Sequence, residues 1–254
     1  MIGVYVLIVI CMIVLLLRSQ QFTSMKFKMW CKNNNVRHDG VDVGYQGDLR
    51  GLYTTKDVQI GDLLIEMPLE SCINERVRPD ITTMEEDYTL AKKLRDCDTW
   101  NGKYKGYINF LPKRPHLIAD WSDNEIEKLN YQTAYELREK QKNENDLYPG
   151  HMKRYLDLVR SRRIIFRYDD HNLLLMLPFI DMINHDEHSS GESFEFDLRI
   201  KDDKIKLYSA RNYSKGDPII LSYGDSKSEM NSTDHHLTRH GIFINQGTKN
   251  LSNK

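Results

Sequence analysis

Residues 171–179, HNLLLMLPF, form a near-continuous apolar run that leads straight into residues 181–185, DMINH. An apolar run of this length without alternation reads as a buried strand. It delivers Asp181, Asn184 and His185 to the edge of the interior, where polar groups need partners. Taken alone, an Asn-His pair at a strand end is ordinarily satisfied by nearby backbone, so the flanking pattern has to decide what it does. Upstream, residues 41–73 are strand-like and punctuated by Gly44, Gly47, Gly51 and Gly61. From about 84 to 165 the texture changes to charged helices. Ser122 with Glu125 makes an S-x-x-E capping box that predicts one helix carrying Ile126, Leu129 and Leu137, and Met152, Tyr155, Leu156 and Val159 make a second apolar stripe. After Arg167 strands return: SFEFDLRI and KIKLYSA flank Asp202 and Asp203 as a hairpin, and DPIILSYG follows a turn at Gly216. This order predicts an α+β fold in which a helical insert separates two halves of one β core.

Composition narrows the function. The chain has 254 residues, 36 Lys+Arg against 37 Asp+Glu, a formal charge of -1 and 40% hydrophobic residues. It can bury a core, which excludes disordered and fibrous classes. The even charge balance gives no global field for nucleic acid, so no direct nucleic-acid partner is expected. The four cysteines, Cys11, Cys31, Cys72 and Cys97, include no C-x-x-C pair, so neither a zinc site nor a disulfide framework has its spacing, and no metal is expected. Residues 2–17, IGVYVLIVICMIVLLL, carry no charge and are followed by Arg18, Lys26, Lys28 and Lys32. That is the pattern of a single-pass membrane anchor with the main domain cytosolic. Residues 1–24 are therefore read as an anchor or a dispensable segment. A start at Met25 would instead give a protein of the cytoplasm or nucleus. A monomer is expected.

Five short motifs occur in order: RGL at 50–52, LVRSRR at 158–163, PFIDMINH at 178–185, KGDPIILSYG at 215–224 and HGIFIN at 240–245. Together they resemble SET-domain methyltransferases, in the branch typified by the Rubisco large-subunit lysine methyltransferase and the actin-histidine methyltransferase. There a helical insert, here about 84–165, splits the SET core. The resemblance covers roughly residues 36–246 and leaves 247–254 as a tail. It implies an S-adenosylmethionine-dependent enzyme that methylates a lysine or histidine side chain of a protein substrate. The alternative is a SET-like module that binds cofactor or a protein segment without turnover; a membrane-tethered scaffold with no cofactor is the third reading.

The resemblance also assigns residues. Asp48, Leu49, Arg50 and Gly51 would lie against the cofactor, with the glycine permitting close backbone approach. Arg162 would hold the cofactor's carboxylate. Asn184 and His185 would hold its amino group and adenine, with Asp181 opening that motif and Gly241 completing the pocket. Tyr223 would be the active-site tyrosine, and Arg163 and His240 would border the substrate channel. Two departures stand out: the family's closing Y-G-F is here His240, Gly241, Ile242, and residues 225–231, DSKSEMN, lengthen the preceding loop. The chain also stops at Lys254, where many relatives continue into a helical substrate-binding domain. An imidazole at 240 with an ordinary pKa near 6.5 would make the rate rise with pH between about 6 and 8.

Overall fold

The computed structural model describes residues 5–6, 22–46, 49–78, 80–185, 196–221 and 233–240. Asp48, Tyr223 and Gly241 lie outside these residues, as does nearly all of the apolar segment 2–17; Leu49 and His185 are described as backbone alone. Among the described residues no helix is long and apolar enough to cross a membrane.

The first element is a helix over residues 22–33, α1. Strands β1 (Arg37–His38), β2 (Val41–Gln46), β3 (Leu49–Thr54), β4 (Leu63–Pro68) and β5 (Ile73–Arg76) follow. The insert then supplies α2 (Thr83–Cys97), α3 (Lys105–Phe110), α4 (Asp123–Leu129), α5 (Ala134–Asp146) and α6 (Lys153–Arg162). Strands return as β6 (Ile164–Tyr168), β7 (His171–Met176), β8 (Asn184–His185), β9 (Phe196–Lys201), β10 (Lys204–Ser209) and β11 (Pro218–Leu221), and α7 is Thr233–His240. They form three small sheets, ordered β1-β4-β10-β9, β2-β3-β11-β8 and β5-β7-β6. Each sheet joins strands from before and after the insert, so the α+β reading of one split core describes the fold.

Local chemistry explains most of these elements. The first six residues of the 171–179 run form β7, the central strand of its sheet. Asp202 and Asp203 turn the β9–β10 hairpin with φ of +53° and +56°, the left-handed pair that a tight hairpin of this hand needs. Ser122 and Glu125 form the expected capping box. The helix it opens is shorter than expected, because Asn130 adopts a left-handed conformation (φ +49°) and ends α4. Leu137 therefore belongs to a separate helix, α5, although it packs into the same small cluster as Ile126 and Leu237.

The main core reaches further toward the N-terminus than residue 36. Phe27, Trp30 and Cys31 of α1 are buried, and Phe27 stacks on Phe110 with ring centroids 4.3 Å apart and on Phe179 at 5.8 Å. The interleaved Lys26, Lys28 and Lys32 disguise this stripe in the sequence, and Cys31, whose thiol burial pushes up to about 12, is a packing residue.

Candidate active site

The site begins at the β2–β3 hairpin, where Tyr45 faces Arg50 and Gly44 faces Gly51. A Cβ on Gly51 would stand 2.5 Å from Asn184 Nδ2, so only glycine admits the Asn184 side chain here. That Nδ2 donates to the Arg50 carbonyl at 3.0 Å, tying β8 to β3 across the insert. On its other side β8 pairs in parallel with β11, Asn184 opposite Ile220 and His185 opposite Leu221. Arg50 itself donates from Nη1 to the Phe110 carbonyl at 2.7 Å and lies over the Phe110 ring, 4.4 Å from its centroid. Desolvation first, and then the charge of Arg162, lower the pKa of Arg50.

Between β7 and β8 the backbone bends at Phe179, a fully buried residue with φ +78° and ψ −49°. An aromatic residue in that region is strained and is held there by its packing. The bend starts the 3₁₀ turn Ile180–Met182 and turns Asp181 inward. Asp181 Oδ2 accepts from Tyr107 Oη at 2.6 Å, and the Asp181 carbonyl accepts from Arg162 Nη1 at 2.5 Å. Burial raises the Asp181 pKa, with Arg162, Tyr107 and Arg50 opposing; burial and the neighbouring carboxylate hold the Tyr107 phenol well above its usual range. Arg162 Nε and Asp181 Oδ1 are buried without a hydrogen-bond partner. Both belong to residues that line a cavity of about 170 Å³, together with Arg50, Ser161, Met182, Asn184 and His240.

The structure thus brings Arg50, Gly51, Arg162, Asp181, Asn184 and His240 together. Arg163 does not line this cavity. It is the residue at which α6 ends, and its side chain turns away from the cavity to pair with buried Asp87, which also holds Arg239 at 2.7 Å. Tyr107, Phe110 and Asp87 have no motif of their own; the one signal for the first two is their spacing of three on a short apolar helix.

His240 differs from an ordinary imidazole. Its Nδ1 lies 3.1 Å from the Ser161 carbonyl, which can only accept, so the ring carries its proton on Nδ1. Burial, and next the neighbouring His236, lower its pKa to about 3. The ring is therefore neutral at physiological pH and gives no titration between 6 and 8. Its depressed pKa has a consequence for stability. Below about 6.5 the unfolded chain protonates this histidine while the folded one does not, so stability falls as pH drops from 6.5 toward 3. Wild type is expected to lose about 1–2 kcal/mol more than His240→Gln between pH 6.5 and 5, read from urea unfolding at each pH. Parallel pH profiles would remove His240 as the cause.

The sequence profile of the SET domain matches residues 49–224, more than half of the chain. The chain belongs to the SET domain family. Solved SET structures agree on the fold. The SET domain of LSMT bound to lysine and AdoHcy is 18% identical with a TM-score of 0.66, and the match covers 88% of this chain and 57% of that one. Rubisco LSMT bound to AdoMet is 20% identical with a TM-score of 0.64, covering 89% of this chain and 57% of that one. The chain therefore spans under two thirds of the length of these relatives. Comparison with curated proteins gives no significant match. Within the SET fold, the two arginines, Asn184 and Gly51 all come from the β3–β8 region or the end of the insert, which is where the cavity opens.

Proposed function

We propose that the protein is an S-adenosylmethionine-dependent protein methyltransferase acting on a lysine or histidine side chain. The observation that carries this reading is the convergence of Arg50, Arg162 and Asn184 on one cavity in a SET fold. Two guanidinium groups, one with an unpartnered Nε, suit the carboxylate of an amino-acid moiety. The bond from Asn184 Nδ2 to the Arg50 carbonyl leaves Oδ1 as an acceptor for an ammonium. LSMT structures that hold AdoMet or AdoHcy in the same fold support the choice of cofactor.

When bound, S-adenosylmethionine supplies a methyl group on a sulfonium. Displacement at that carbon needs the nucleophile in line behind it, so this chain's residues contribute chiefly by positioning. Arg50 is held by the Phe110 carbonyl and ring, and Arg162 by the Asp181 carbonyl, which makes Phe110 and Asp181 positioning residues. Tyr223 is proposed as the hydroxyl at the junction of cofactor and target. His240, neutral in this wall, does not repel an ammonium, so either a lysine or a histidine target is compatible with it. Residues 2–17 are proposed to hold the domain at a membrane on its cytosolic side, supported by the basic residues that follow them.

Titration calorimetry of the whole chain tests cofactor binding, and absence of heat at submillimolar S-adenosylmethionine sinks it. Asn184→Ala is expected to weaken binding by about 1–3 kcal/mol, the cost of a lost buried polar partner; an unchanged affinity removes Asn184 from the site. Tyr223→Phe is expected to abolish most transfer of labelled methyl to lysate proteins while cofactor affinity stays within several-fold. Equal loss of both would make Tyr223 structural, and a wild-type chain that binds without transfer would be a SET module lacking turnover.

A further inference from the structure

Helix α1 is apolar on two sides. One side, Phe27, Trp30 and Cys31, is buried in the core. On the opposite side Phe22, Met25 and Met29 are 53%, 52% and 58% exposed. Their spacing of three and four aligns them as one stripe along the helix. With about 100° between successive residues, Lys26 falls on one border of the stripe and Lys32 on the other. Lys26 Nζ stands 4.2 Å from the Phe22 ring centroid, so the cation frames the stripe directly. Lys28 sits nearer the domain and is already paired with Asp42. No acidic residue occurs anywhere before Asp39, while Arg18, Lys26, Lys28, Lys32 and Arg37 are all basic.

A contiguous stripe of large exposed side chains has no use on a face bathed in water. A stripe bordered by cations in a segment without acids has a definite complement: a surface that is apolar within and anionic at its rim. The uncharged residues 2–17 precede this helix by only a few residues.

We infer that the outer face of α1 lies on an anionic lipid bilayer, with Phe22, Met25 and Met29 entering the headgroup–acyl boundary and Lys26 and Lys32 meeting anionic headgroups. Docked this way, α1 fixes the tilt of the SET domain, because its inner face is locked to Phe110, and Phe110 holds Arg50. The inference rests on the proposed anchor only for bringing α1 to a membrane.

The test uses the full chain mixed with vesicles of phosphatidylcholine, with or without a minority of phosphatidylserine. A polarity-sensitive probe is attached at Met29→Cys, or at Leu147→Cys as an exposed control (67% exposed). Both are placed in a Cys11→Ser, Cys97→Ser background, where Cys31 and Cys72 stay buried. Shallow nitroxide lipids are expected to quench the Met29 probe at least twofold more than the Leu147 probe in anionic vesicles. Adding Lys26→Glu and Lys32→Glu should remove most of that difference. Equal quenching at both sites overturns the inference, as does a blue-shifted but unquenched Met29 probe, the result if a second copy or another protein covers the stripe. Flotation separates this outcome from the anchor: a chain that floats with neutral vesicles yet leaves Met29 unquenched keeps the anchor and loses the docked helix. Flotation with anionic vesicles alone, with Met29 quenched, keeps the docked helix and loses the anchor.

Discussion

Asp87→Ala is expected to destabilise the chain by about 3–5 kcal/mol, because it leaves two guanidiniums facing one another without their shared carboxylate. The side chains of Asp87 and Arg163 are 2% and 7% exposed and that of Arg239 is 18% exposed, so water cannot replace the lost charge. Burial, followed in size by the opposing charge of Asp87 and the adverse charge of Arg239, sets the balance at Arg163. Arg239 sits on α7 next to His240, so the same carboxylate fastens the helix that closes the cavity wall. Urea unfolding measures the loss, and the double variant Asp87→Ala, Arg163→Met should recover part of it by removing one stranded cation. A loss below about 1 kcal/mol would mean that the arginines find other partners.

Phe27→Ala is expected to cost a similar amount, about 3–5 kcal/mol, through a cavity at the centre of the aromatic stack. Phe27 is fully buried between Phe110 and Phe179, and its plane lies within 2° of the Phe110 ring. The effect should reach the site, since Phe110 holds Arg50 through both its carbonyl and its ring. Thermal melting is expected to show the stability loss, and calorimetry a weaker cofactor affinity in the fraction that remains folded. A destabilised variant with wild-type affinity would show that the stack supports the fold without positioning Arg50.

What can be read from this chain without its structure follows physical range. Strand β7 and the β9–β10 hairpin are legible because an apolar run and an Asp-Asp turn carry their instructions locally. Asn184 and Arg162 are legible through ordered motifs. The break between α4 and α5 is not, since it depends on the backbone of a single asparagine that the hydrophobic period passes over. The surroundings of the site are also hidden: Tyr107 reaches Asp181 across 74 positions and Arg50 reaches Phe110 across 60, and neither pair has a pattern that announces it. Arg162 and Arg163 show the limit most directly. The two are identical in type and adjacent, yet the end of α6 sends one to the cavity and the other to Asp87.

The 134-residue separation between Arg50 and Asn184 has a consequence for how the protein is made. On the ribosome, β2 and β3 emerge with one wall of the cavity, and then wait for the entire insert before β8 arrives. The parallel pairing of β8 with β11 comes later still, and His240 last. No early folding intermediate can own a ligand site, so a ligand cannot guide the nascent chain from its first half. Gly51 spends that interval in a hairpin whose partner strands are absent, an unpaired edge of the kind that chaperones cover during synthesis.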